Sequence, residues 1–266
     1  MTVADIGVIG GSGLYAFLDG AKELTVETPY GETSDRLVVG DVGGRRVAFV
    51  PRHGRDHRYP PHRIPYRANL WALRSLGVRQ VLAPCAVGSL RASLPAGSLV
   101  IPDQLVDRTS GRPQTFHDRG AVHIAFADPY CPTGRGVASA RAGAADWDVT
   151  DRGTMVVVEG PRFSTRAESH WFAAQGWDII NMTGHPEAVL ARELGLCYTA
   201  IALVTDLDAG VEEGEAVTQD EVFRFFARNT ERLRTLLYDV IGALPVEPDC
   251  VCNRALDGID VQLELP

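Results

Sequence analysis

Short runs that are apolar on consecutive positions alternate along this chain with longer stretches whose apolar residues recur at helical spacing. The runs at 6–9, 37–39, 46–50, 80–83, 98–101, 155–159, 178–181 and 200–205 predict strands. Unbroken apolar runs, in place of a strict in–out alternation, are what a sheet covered on both faces requires. Helix starts are marked between them. Thr165-Arg-Ala-Glu168 and Thr218-Gln-Asp-Glu221 each fit a capping box, in which a hydroxyl and a carboxylate exchange bonds with first-turn amides. Pro186-Glu187 suits a helix start with Gly195 as its stop, and Leu76-Gly77 closes a helix from about Tyr66. No Ser/Gly/Pro-rich linker or internal repeat divides the chain. The pattern predicts an α/β fold over 1–266: a single domain with a central mixed sheet flanked by helices.

Composition narrows the chemistry. The 266 residues are 45% hydrophobic and 23% charged, which supplies a packed core and excludes disorder. Formal charge is −8, from 26 cationic and 34 acidic side chains. Lys22 is the only lysine, so arginine carries the other 25 cations (26 − 1). An acidic chain without basic blocks predicts no nucleic-acid partner and no anionic membrane surface. A lone lysine in a polar stretch argues against Schiff-base or Walker-type chemistry. An anion would have to be held by arginine, hydroxyls and backbone amides. Five cysteines, odd in number and scattered, predict a reducing cytoplasm and no disulfide framework. The first residues carry no signal-peptide pattern, and no apolar run reaches the ~18 residues of a membrane span.

Candidate chemistry gathers at strand ends. Residues 6–15 run from a strand into a glycine-rich turn whose Ser12 adds a hydroxyl, as a phosphate turn or a plain tight turn. Gly11 and Gly13 formally meet a dinucleotide fingerprint, but 19–35 is polar and Gly/Pro-broken and lacks the second strand that a Rossmann unit needs. Arg52 can grip a phosphate through two parallel N–H bonds, with His53 as a third donor. Gly54, Pro60 and Pro61 argue against the helix that would align His53 and His57 on a metal. Residues 86–90 offer small side chains and accessible amides, or simply pack a strand end. Phe163 suits a flat ring or the core, and Thr183 sits at a helix N-terminus as anion ligand or cap. Asp206 and Asp208 face one way if the strand continues, so their pKa values can split.

Together these segments resemble the methylthioadenosine phosphorylase branch of the trimeric purine nucleoside phosphorylases. The matching pieces are residues 7–15, Arg52-His53-Gly54-Arg55 with His57, 66–73, 86–90, 103–109, 159–169, Asn181-Met-Thr183, Pro186-Glu187 and Thr205-Asp206-Leu-Asp208. The resemblance implies a phosphate site of Ser12, Arg52, His53, Ala86 (through its amide) and Thr183. It implies a purine and ribose site of Phe163, Ser164, Met182, Asp206 and Asp208, with Asp206, Ser164 and His53 as the catalytic set. Cys85 stands where many relatives place a threonine or serine, and a thiol is a weaker donor. Val222, Phe223 and Gln219 fall in the expected 5′ pocket, the glutamine being a departure from its aliphatic lining. A homotrimer is implied, with His117 reaching a neighbour's pocket. Cys250-Val-Cys252 is similar to a redox pair of some thermostable relatives.

The implied activity is phosphorolysis of 5′-methylthioadenosine, or another 5′-substituted adenosine, to adenine and 5-methylthioribose 1-phosphate in purine and methionine salvage. The alternative is a 6-oxopurine nucleoside phosphorylase acting on inosine, guanosine or methylthioinosine. A non-catalytic nucleotide- or NAD-binding protein is the reading from another class. Phosphate is expected as co-substrate, with no cofactor and no metal.

Overall fold

A computed structural model of the chain describes residues 3–11, 14, 18, 21–209, 217–261 and 263–266. Its strands are β1 (Ile6–Gly10), β2 (Lys22–Leu24), β3 (Leu37–Val42), β4 (Arg45–Pro51), β5 (Gln80–Ser89), β6 (Leu99–Val100), β7 (Gln104–Arg108), β8 (Val149–Thr150), β9 (Thr154–Val158), β10 (Ile179–Asn181) and β11 (Cys197–Leu207). Its helices are α1 (Tyr66–Ser75), α2 (Pro132–Ala144), α3 (Arg166–Ala174), α4 (Gly184–Glu193) and α5 (Gln219–Ala243).

The sheet is mixed and branches at β5. One edge of β5 pairs with β11 along its length. The other edge pairs first with β1, parallel over Gln80–Leu82, and then with β10, antiparallel at Gly88 and Ser89. Beyond β1 lie β4, β3 and β2, and beyond β10 lie β9 and β7. Both faces of the central strands are buried. Val81, Ala83, Ala200, Ala202 and Val204 pack beneath α1 and α4, while Leu82, Ile201 and Leu203 face α2 and α5. Consecutive apolar residues therefore feed two cores, the expectation the runs carried.

Most expected elements form, with differences that have physical causes. β5 continues through Ala86–Ser89, beyond the strand predicted over 80–83, because β10 and β11 take up its later residues. The stretch 19–35, read as strandless, holds the short edge strand β2. Among the elements not foreseen, β7 and β8 are short edge pieces, and α2 has no apolar stripe. Its buried residues are Gly134, Ala138 and Ala142. A Cβ on Gly134 would clash with Thr199 Oγ1, so the helix approaches β11 closely enough to need glycine. The Thr165–Glu168 capping box is complete. α4 is interrupted at His185 (φ −117°, ψ 134°), so its regular turns begin at Pro186. Among the described residues no helix is long and apolar enough to cross a membrane.

Candidate active site

Between Leu82, where β1 leaves β5, and Gly88, where β10 joins it, one edge of β5 carries no strand. That edge borders a cavity of ≈ 330 Å³. Two side chains reach into the gap: Arg52 Nη1 donates to Pro84 O at 3.1 Å, and Asn181 Nδ2 to Ala86 O at 3.1 Å. A strand residue presents its N–H and C=O on the same side, so the Ala86 amide is turned to this open edge. Ala86 thus presents its amide from within β5, beyond the strand expected over 80–83.

Arg52 is almost fully buried, yet it does not present a two-pronged face to the cavity. Its Nε and Nη2 are bound to the two Glu187 carboxylate oxygens at 2.8 and 3.0 Å, and Nη2 also donates to Ile9 O at 3.0 Å. With Pro84 O taken into account, one of the five N–H bonds, on Nη1, remains for a ligand. The expected bidentate grip on phosphate is therefore corrected: the fork is spent on Glu187. Burial works against the guanidinium charge, but the Glu187 carboxylate outweighs it and keeps Arg52 protonated. Tyr198 O–H donates to Glu187 Oε2 at 2.8 Å and completes that carboxylate.

His53 is corrected likewise. Its Nδ1 lies 2.8 Å from Tyr59 O, a group that only accepts, so the proton is on Nδ1. Burial, then the nearby His57 and Arg52, push its pKa down to about 3, so the ring is neutral at pH 7. Nε2 therefore offers a lone pair, an acceptor for a P–O–H and not a third donor. The start of α4 is also less open to an anion than its position suggested. Asn181 Oδ1 already accepts the Thr183 and Gly184 amides at 2.6 and 2.7 Å. Thr183 makes no side-chain cap; its hydroxyl, on the cavity wall, donates to the same Asn181 Oδ1 at 3.3 Å.

Asp206 and Asp208 line the same cavity, together with Phe163, Ser164 and Met182. A register shift in β11 between Val204 and Asp206 sets the two acids against Gly88. A Cβ on Gly88 would meet Ile180 Cγ2 at 3.0 Å and Asp206 Oδ2 at 3.1 Å, so the missing side chain makes the space. Burial raises the Asp206 carboxyl to about 6, against the Thr205 hydroxyl donating at 2.7 Å and with help from the Asp208 charge. Burial also raises Asp208. Asp208 Oδ2 and Ser164 Oγ are buried and have no hydrogen-bond partner among the described residues.

Gln219, Val222 and Phe223 line the mouth from α5. Phe223 is 37% exposed and meets the His57 ring edge-on at 5.3 Å, while His57 stacks on His53 at 4.2 Å. Cys85 also lines the cavity, and burial lifts its thiol to about 12, leaving it protonated. His117 is not among the lining residues of its own chain. Ser12 lies outside the described residues; its neighbour Gly11 borders the cavity, where a Cβ would stand 3.5 Å from Arg52 Nη1.

Three residues escaped the sequence reading as site elements. Glu187 was taken only as a helix start, although an acid inside the apolar stretch 186–191 signals a buried partner. Asn181 was assigned no role. Arg112 is buried and donates to Val158 O, Glu159 O, Met182 O and His185 O at 3.3, 2.7, 2.9 and 2.7 Å. It ties together the two segments that carry Phe163, Ser164, Met182 and Thr183, and no local pattern marks it.

A family model described as "Phosphorylase superfamily" matches residues 5–242. A Streptomyces coelicolor protein named purine nucleoside phosphorylase is 60% identical over 274 residues, 99% of this chain and 98% of that one. A Mycolicibacterium smegmatis protein named S-methyl-5′-thioadenosine phosphorylase is 57% identical, over 98% of this chain and 99% of its own. Among solved structures, methylthioadenosine phosphorylase from Schistosoma mansoni in complex with adenine superposes with a TM-score of 0.88 at 37% identity, covering 92% of this chain and 93% of that one. A methylthioadenosine phosphorylase from an antarctic soil metagenomic library gives 0.89 at 42% identity, over 97% of this chain and 92% of that one. The chain therefore belongs to the phosphorylase superfamily, in the purine nucleoside phosphorylase family alongside the S-methyl-5′-thioadenosine phosphorylases.

Proposed function

We propose that this chain is a pentosyltransferase that cleaves 5′-methylthioadenosine with phosphate, releasing adenine and 5-methylthioribose 1-phosphate. The observation that carries the reading is one cavity that joins anion donors along the open β5 edge to a protonatable carboxylate pair beside Gly88. Solved relatives bound to adenine and to methylthioadenosine support it.

The site residues divide the work. Phosphate lies along the Ala86 amide, the Thr183 hydroxyl and the free Arg52 hydrogen, with its own proton on His53 Nε2. The Arg52–Glu187 pair is neutral overall, so these dipoles position the nucleophile more than a net charge does. Phosphate attacks the anomeric carbon as the glycosidic bond breaks, with oxocarbenium character over Met182. The leaving base gathers negative charge at N7, and Asp206, raised to about 6, donates its proton there. Asp208 Oδ2 accepts from the 6-amino group, and Phe163 stacks on the ring. Val222 and Phe223 receive an apolar 5′ substituent, with Gln219 at the rim. The enzyme acts as a cytoplasmic homotrimer needing no cofactor besides phosphate, and a neighbouring subunit's His117 closes the exposed 5′ end.

A second reading, phosphorolysis of 6-oxopurine nucleosides, is favoured by the raised Asp208. In its acid form that residue donates to a 6-oxo group, and the Streptomyces coelicolor relative carries the broader name. The deciding assay measures base release from methylthioadenosine, methylthioinosine, inosine and guanosine, with and without phosphate. Adenine release that requires phosphate supports the proposal. Release without phosphate indicates a hydrolase, a preference for the oxopurines selects the second reading, and no turnover leaves a binding protein.

A further inference from the structure

The cysteines are not scattered in space. The Sγ atoms of Cys131, Cys197, Cys250 and Cys252 all lie within 4.8 Å of one another, and Cys197 and Cys250 approach to 3.3 Å. All but Cys250 are buried. The four come from three separate places: the N-cap of α2, the first residue of β11, and a Cys-x-Cys in the segment after α5. We propose that they bind one zinc ion through four thiolates, contrary to the expectation of no metal.

The geometry suits that ion. Tetrahedral zinc at about 2.3 Å from each sulfur sets the sulfurs about 3.8 Å apart, so the cluster needs adjustments of about 1 Å or less. Two separate disulfides would require closeness only within each pair, whereas here all four sulfurs share one small volume. The donor set contains no carboxylate or imidazole, which selects zinc over magnesium or calcium. On binding, the four thiols release four protons and the site carries a net charge of −2. The Gly134 amide, donating to Cys131 Sγ at 3.4 Å, and the N-terminus of α2 offset part of that charge.

The site's place in the fold gives its purpose. Beyond α5 the described chain has a single 3-10 turn, Cys252–Arg254, so little regular structure anchors it. Besides the cluster, Thr133 Oγ1 holds this segment through Asp249 O at 3.1 Å and Gln80 Nε2 through Pro245 O at 2.7 Å, and Leu263 and Leu265 pack against the core. Cys197 opens β11, and Asp206 lies nine residues along it, about 30 Å away at the rise of an extended strand. The metal therefore clamps the C-terminal segment onto α2 and β11 and takes no part in the chemistry.

The test uses the full chain, purified under reducing conditions with no chelator and no added metal. Elemental analysis should find about one zinc per chain, released in step with thiol modification. Cobalt exchange should give thiolate charge-transfer absorption and tetrahedral d–d bands. Metal removal should lower the melting temperature by several degrees while kcat/KM at low temperature stays within twofold. Cys252→Ser should retain at most a tenth of the zinc, and Cys252→His should restore it. A reduced chain that holds no zinc and takes up no stoichiometric cobalt overturns the proposal. So does a zinc-free chain whose mass is short by two hydrogens per disulfide. Should Cys252→Ser fail to fold, the wild-type metal content and the cobalt spectrum still decide.

Discussion

Replacing Glu187 by glutamine keeps its shape and removes the charge that answers Arg52. Both side chains are 2% exposed, so neither can turn to water for compensation. Glu187 accepts from three donors: Arg52 Nε on Oε1, and Arg52 Nη2 and the Tyr198 hydroxyl on Oε2. A glutamine has one acceptor oxygen, so whichever way its amide is turned, an NH2 faces at least one donor. Breaking a buried pair from one side costs about 3–5 kcal/mol, since the remaining charge is desolvated without a partner. At roughly 2–4 °C per kcal/mol for a chain of this size, the melting temperature should fall by about 10 °C. Phosphate KM should also rise, because the single Arg52 hydrogen aimed at the cavity is positioned through Glu187, while nucleoside KM changes little. Scanning calorimetry and initial rates against phosphate measure the two effects. Combining Glu187→Gln with Arg52→Met removes both charges and should recover much of the stability but none of the phosphate binding. An unchanged melting temperature and phosphate KM in Glu187→Gln would refute the claim that this pair organises the anion site.

Asp206→Asn should lower kcat for methylthioadenosine about 10²-fold, the worth of a positioned proton donor; an unchanged kcat would remove Asp206 from the base site. Because burial holds this carboxyl at about 6, its acid form is present below that pH and is lost as pH rises through it. kcat/KM for methylthioadenosine should therefore decline on that limb in the wild type and run flat in Asp206→Asn. The same sign applies to folding: the raised pKa stabilises the native state below the unfolded value near 4 and is lost above about 6, so Asp206→Asn should melt no lower than wild type at neutral pH. Gly88→Ala puts a methyl 3.0 Å from Ile180 and 3.1 Å from Asp206. Nucleoside KM should rise about tenfold, at the low end of overpacking costs, with phosphate KM unaffected; equal KM values would show that the space is not used by substrate. Arg112→Lys keeps the charge but loses the planar fork, so kcat/KM should fall about tenfold and thermal stability should drop together; loss of stability alone would make Arg112 a structural residue only.

Much of this protein is written locally. Unbroken apolar runs specify a sheet buried on both faces, because each face needs its own core; the two cores above and below β5 and β11 meet that demand. The caps at Thr165 and Thr218 follow from hydroxyls and carboxylates three residues apart. Residues of the phosphate and base sites follow the predicted strands in sequence, and all of those within the described residues line one cavity. What local pattern could not supply is who faces whom. Arg52 and Glu187 are separated by 135 residues, and whether the guanidinium grips a ligand or a carboxylate depends on which one the fold sets against it. His53 reads as a donor until Tyr59 O claims its Nδ1 proton, and four cysteines spread over residues 131–252 become one cluster only when α2, β11 and the last segment converge. The apolar pattern determined the layers, since burial depends on spacing along the chain; the tertiary structure alone decided the hydrogen-bond and charge partners, since those depend on directions and distances between segments far apart in sequence.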